Sequence, residues 1–167
     1  MHIQKFINYL LLEKNYSPQT VLAYQKDIEA FQLFLTQEFN DSEVSKANYA
    51  QIRTWIVHLV DRSISNRTIN RKISSLNSYY KFLLKTESIT TNPLAKHKAL
   101  KVSKKIQIPF SETEVNSVLE HIDTDSFEGL RDKLIIELFY STGIRRIELV
   151  QLKLQDVDLS QGFIKVL

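Results

Sequence analysis

The sequence predicts a mainly α-helical protein in two parts, and three observations carry that expectation. Apolar residues recur at i, i+3 and i+4 spacing over most of the 167 residues, the signature of helices with one buried stripe. Only three glycines and three prolines punctuate the chain. Asn92–Pro93 then breaks the helical pattern, since proline disfavours the helical region for the residue before it, and an acid-free, lysine-rich stretch follows.

Taken in order, Ile3, Phe6, Ile7, Leu10 and Leu11 mark a first helix. "NYSPQT" interrupts it, with Ser17 suited to cap a second helix and Pro18 to its first position. Val21, Tyr24, Ile28, Phe31 and Leu35 carry that helix to about Glu38. A third holds Ile52, Trp55, Ile56 and Leu59, with Asn48 and Gln51 as a capping pair. Ser65 caps a fourth, running to about Lys85. Residues 91–108 read as a basic interdomain linker between parts at 1–90 and 109–167. Ser111 and Glu114 form a capping box for a fifth helix ending near His121. A sixth runs from about Leu130 to Tyr140 and stops at Gly143, a short seventh covers "RIELVQL", and "GFIKVL" alternates like a strand with no visible partner.

Charge is distributed unevenly behind a net value of +3. Residues 66–105 carry ten Lys and Arg against one acid, whereas residues 1–65 carry six against seven and residues 106–167 six against eleven. Such a block suits a local polyanion site or a solvated linker. The absence of cysteine excludes disulfides, thiolate metal sites and thiol nucleophiles. His2, His58, His97 and His121 have no metal-ligand spacing, and the three glycines make no phosphate-cradling loop, so neither a metal nor another cofactor is expected. No apolar run approaches the roughly 18 residues of a membrane span, and the N-terminus does not read as a signal peptide.

The fourth helix is the most informative. Ile69, Ile73, Leu76, Tyr80 and Leu83 make one apolar stripe; Arg67, Arg71, Ser74, Ser78, Lys81 and Lys85 make a second, nearly opposite. Small hydroxyls allow close approach to a surface, and the flanking cations suit phosphates. An ordinary solvent face is the other reading, but such faces usually include acids for i, i+4 pairs, and none occurs between Arg62 and Glu87. A second basic feature is "STGIRRIELVQL". Gly143 can end one helix, and an arginine at the start of the next can grip two phosphate oxygens with its planar fork. Arg145 and Arg146 point about 100° apart, so they do not serve one phosphate. Pairing of both with Glu148 or Asp132 accounts for the residues equally well.

The stretch "RDKLIIELFYSTGIRRIELVQLKLQDVDL" resembles the first catalytic box of the tyrosine site-specific recombinases, the phage-integrase and bacterial Xer group. The matching positions are Arg131, Asp132, Thr142, Gly143, Ile144, Arg145, Glu148, Leu149, Leu152 and Asp156. "NYSPQTVLAYQKDIEAFQLFL", "SISNRTINRKISSLNSYYKFLL" and "TNPL" resemble the same family's core-binding domain, so the resemblance covers nearly the whole chain. It implies a four-helix SAM-like domain, then the first helices and an initial strand of a mixed α+β catalytic domain. It implies that Arg145 binds the scissile phosphate of double-stranded DNA, with Arg146 at a variable position. Ile147 stands where the family usually has a small residue.

In that family two domains clamp the duplex, and four protomers exchange strands through a 3′-phosphotyrosine. A hairpin lysine, a His-x-x-Arg box, a further His or Trp and the nucleophile lie downstream of the arginine box. None of the seven tyrosines here matches the nucleophile position; Tyr140 is close but reads as core. One arginine cannot supply all the donors that phosphoryl transfer needs. The expectation is therefore a recombinase fragment that binds DNA without cutting it, in the bacterial cytoplasm at the nucleoid. The expected DNA contacts are Arg67, Arg71, Lys72, Ser75 and Lys81, the linker residues Lys101, Lys104 and Lys105, and, on the second helix, Thr20 and Tyr24. Two rivals are a stand-alone DNA-binding module that regulates or competes with a full-length recombinase, and a helical protein-interaction adaptor.

Overall fold

A computed structural model describes residues 2–104 and 106–166, so Lys105, expected at DNA, and Leu167 lie outside the described residues. The chain divides into two compact units, with the division after residue 104.

The first unit is helical. α1 (His2–Asn8) runs into a π-helical turn, Tyr9–Glu13, and α2 spans Pro18–Phe39. A 3-10 turn, Val44–Lys46, leads to α3 (Tyr49–Asp61) and then α4 (Asn66–Lys85). The expected caps are in place: Ser17 accepts from the Thr20 amide, Asn48 and Gln51 form a capping box, and Ser65 accepts from the Thr68 amide. Each satisfies an amide that the helix start would otherwise leave unpaired. The apolar stripe of α4 is the centre of the core. Ile69, Leu76, Tyr80 and Leu83 are fully buried, packed with Phe6, Ile28, Phe31, Leu35, Ile52 and Trp55. Phe31 and Trp55 join α2 to α3 with ring centroids 4.9 Å apart. Tyr80 also makes a buried polar contact. Its hydroxyl donates to the Val44 carbonyl at 2.8 Å, tying α4 to the 3-10 turn.

The first part of the expected linker belongs to this unit. Leu94 is buried in the core, and Leu100 packs against it. The Asn92 side chain donates to Asn77 Oδ1 and accepts from the Leu94 amide, both at 2.8 Å. Asn70 of α4 clamps residue 100 from both sides, donating to the Leu100 carbonyl and accepting from the Leu100 amide, each at 2.9 Å. Asn66 donates to the Lys101 carbonyl at 2.9 Å. The basic segment therefore runs beside the first half of α4 instead of hanging free.

The second unit holds α5 (Glu112–Glu120), α6 (Phe127–Thr142), α7 (Arg146–Gln151), a 3-10 turn at Leu154–Asp156 and two short strands. The Ser111–Glu114 capping box is formed. α6 starts three residues before the expected Leu130, because Ser126 caps it by accepting from the Gly129 amide. Gly129 is required there: a Cβ would lie 1.6 Å from the Asp123 carbonyl oxygen. The terminal strand does have a partner, which corrects the sequence expectation. β1 (Val157–Asp158) pairs antiparallel with β2 (Phe163–Ile164), in register Val157 to Ile164 and Asp158 to Phe163. Asp158 organises the connection, accepting from the Ser160 and Gln161 amides. Tyr140, expected in a core, is 51% exposed, and α6 has no buried residue among those described.

Tyr80→Phe should cost about 1–3 kcal/mol, because the Val44 carbonyl is left without its buried donor. Urea denaturation should show the midpoint falling while the helical circular dichroism signal of the native state is unchanged.

Candidate nucleic-acid interface

The outer face of α4 is built as the sequence pattern predicts. Arg67, Arg71, Ser74, Lys81 and Lys85 are exposed, opposite the buried stripe, with Ser78 half-buried between them. Lys85 pairs with Glu13 at 3.5 Å and sits over the Tyr9 ring. Lys101 and Lys104 are exposed on the segment beside α4. The Asn66 and Asn70 bonds bring that segment to the first turns of the helix, so Lys101 stands near the Arg67 end. The result is one cationic surface built from two chain segments.

Two expected contacts turn inward. Ser75 is 2% exposed, and its hydroxyl donates to Asp27 Oδ2 at 2.8 Å, so it faces the core and not an outer surface. It follows Ser74 by one residue, and about 100° of rotation carries it across the boundary between the two stripes. Lys72 is also largely covered, with its ammonium 3.0 Å from Asp27 Oδ1. On α2, Thr20 shares a 2.9 Å hydroxyl hydrogen bond with Ser17 at the helix cap. Tyr24 packs against the core, its ring near Phe6 and Tyr16. Each has a role in the fold, and neither residue is fully buried.

Asp27 is the residue that the sequence reading missed. It is 1% exposed, and Arg71, Lys72 and Ser75 all reach its carboxylate. The available signal was an acid beside the apolar stripe of α2, facing a helix with cations and no acids.

In the second unit, Gly143 takes the left-handed conformation, φ 66°, that ends α6, and Arg145 stands at the N-cap of α7. Its guanidinium meets Glu148 Oε1 at 2.7 Å, and its amide donates to Glu148 Oε2 at 2.8 Å. The backbone bond, then the guanidinium, hold the Glu148 carboxyl below its ordinary range. The Arg145 side chain is still 81% exposed, so one edge of its fork is paired and the rest is open. Arg146 is exposed and makes no ion pair among the described residues. Asp132 pairs with Arg131 instead. Ile147 is half exposed.

Tyr79 and Tyr80 are unsuited to nucleophilic chemistry. Both are buried, and burial raises both hydroxyls, Tyr79 to about 12. Among the described residues no three His, Asp or Glu side chains converge as a metal site requires, and no helix is long and apolar enough to cross a membrane.

Comparison with known proteins follows the two units. Residues 3–87 match the family described as "Phage integrase, N-terminal SAM-like domain", and residues 109–167 match "Phage integrase family". The tyrosine recombinase XerC of Oceanobacillus iheyensis is 36% identical over 166 residues, covering 99% of this chain and 54% of the relative. XerC of Staphylococcus saprophyticus is 34% identical over 164 residues, covering 98% and 55%. The chain thus spans about half the length of the curated relatives it matches. Among solved structures, the Tn1549 transposon integrase in complex with circular intermediate DNA shares the fold, with a TM-score of 0.70 at 18% identity over 95% of this chain and 51% of that one.

Asn70→Ala should release the basic segment from α4. Two hydrogen bonds of about 1 kcal/mol each are lost, so the Leu100 amide should exchange with deuterium roughly 30-fold faster. Amides in the middle of α4 should keep their protection.

Proposed function

The chain belongs to the phage integrase family of tyrosine recombinases, and on that premise we propose that it binds duplex DNA as part of a site-specific recombinase. The observation that carries this reading is the cationic surface of the first unit: an acid-free helical face, with small hydroxyls between its cations, extended by an ordered basic segment. Arg67, Arg71, Lys81, Lys101 and Lys104 contact phosphates, and Ser74 and Ser78 let the helix come close. Lys72 and Ser75 support this face from beneath.

Arg145 binds the phosphate that is attacked. Its fork suits two phosphate oxygens, and Glu148 keeps it pointed outward from the start of α7 until the phosphate arrives. Electrostatic stabilisation of the transferring phosphoryl group takes several donors and a general acid. The 167 residues by themselves bring one arginine of the catalytic set, and none of their tyrosines matches the family's nucleophile position, so alone they bind DNA and do not cut it. The whole protein exchanges strands between specific sites through a phosphotyrosine, in an assembly of several protomers on bacterial chromosomal or mobile DNA.

Binding should be steeply salt-dependent. Six phosphate contacts, five from the first unit and one from Arg145, give a log–log slope of about −5. Arg67→Ala should weaken binding and reduce the slope by roughly 0.9. A flat slope contradicts DNA binding and favours a protein-interaction adaptor. With a nicked suicide duplex, a denaturing gel should show no covalent protein–DNA adduct; an adduct would place a nucleophile within these residues.

A further inference from the structure

Asp27 is a carboxylate at 1% exposure in the interior of the first unit. Its four acceptor positions are all filled. Oδ1 accepts from Arg71 Nη2 at 2.9 Å and Lys72 Nζ at 3.0 Å, and Oδ2 accepts from Arg71 Nη1 at 2.5 Å and Ser75 Oγ at 2.8 Å. A buried carboxylate requires a counter-charge, but it requires only one. Here consecutive residues of α4 supply two.

The two cations are not equivalent. The Lys72 side chain is 19% exposed and neutralises Asp27 from the covered side. The Arg71 side chain is 51% exposed and meets Asp27 end-on, through one N–H on each terminal nitrogen. A guanidinium has five N–H donors, so three remain, including Nε–H. With Lys72 balancing the carboxylate, the net charge of the cluster is +1. It is expressed at the solvent-facing edge of a fork whose inner edge is clamped.

We propose that Asp27 is a positioning residue for DNA recognition: it does not touch DNA, but it holds Arg71 in the orientation that meets a backbone phosphate. This rests on the reading of α4 as a DNA-binding face. The physical advantage is preorganisation. A free arginine loses rotamer freedom when it binds a phosphate, and one already clamped has little left to lose.

The sign of the effect separates positioning from simple electrostatics. Removing a negative charge from a DNA-binding face should tighten binding if charge alone matters. If Asp27 positions Arg71, removing its charge should weaken binding. The experiment uses a fluorescein-labelled 30-bp random-sequence duplex with the full chain and with Asp27→Asn, Arg71→Ala, Arg71→Lys and the Asp27→Asn/Arg71→Ala double variant. Urea denaturation is run alongside to confirm the folded state. Asp27→Asn should weaken binding by about 3- to 10-fold. The double variant should bind no more weakly than Arg71→Ala alone, because both changes remove one contact. Arg71→Lys keeps the charge but not the fork, and should weaken binding by a similar factor even if Asp27→Asn does not fold. The proposal is overturned if Asp27→Asn tightens binding or leaves it unchanged while Arg71→Ala weakens it. Additive losses in the double variant, or unchanged binding by Arg71→Lys, also overturn it. If Arg71→Ala itself has no effect, the reading of α4 as the DNA face fails first.

Discussion

A buried carboxylate needs counter-charge beside it, and Asp27 draws two cations from α4. That requirement fixes more than one ion pair. A buried carboxylate with four directional partners tolerates little sliding or rotation of one helix on the other, so α4 is set in register against α2. With that register fixed, the apolar stripe of Ile69, Leu76, Tyr80 and Leu83 turns into the core, and the Arg67–Lys81 face turns to solvent. Hydrophobic packing alone fills the core at lower angular precision. The polar cluster makes the exposed cationic face a defined surface.

The two units solve the problem of presenting cations differently. In the first, charge is carried on a long helix with a deep core beneath it, and the basic segment is attached through two asparagine side chains. In the second, Arg145 is presented by a helix break: Gly143 ends α6, and Glu148 holds Arg145 through both backbone and side chain. α6 leaves Leu130, Leu134 and Tyr140 about half exposed, with no buried residue among those described. Among the described residues the arginine is held locally, by cap geometry within a few residues.

Much of this was legible in the sequence because it is local. Ser17, Asn48, Ser65 and Ser111 cap the helices they precede, and Gly143 ends the helix it follows, since each cap is decided within four residues. The two stripes of α4 follow from helical periodicity, and the resemblance to the recombinase family follows from the box around Arg145. What was not legible depends on residues far apart in the chain. The Asp27–Arg71 pair spans 44 positions and the Asn70–Leu100 clamp 30. Ser75 was misplaced because a single residue decides between the faces of a helix, and the carboxylate that draws it inward lies on α2. β1 was missed because two residues are too few to alternate visibly.

The central claim is that the α4 face and the segment clamped to it form the DNA-binding surface. The most direct measurement is an NMR titration of the isotopically labelled chain with duplex DNA. The account predicts that the largest resonance shifts fall on Arg67, Arg71, Ser74, Ser78 and Lys81, and on residues 98–104, with a separate set at Arg145. Shifts concentrated instead on the outer side of α3, at Arg53, Val57 and Val60, would contradict it.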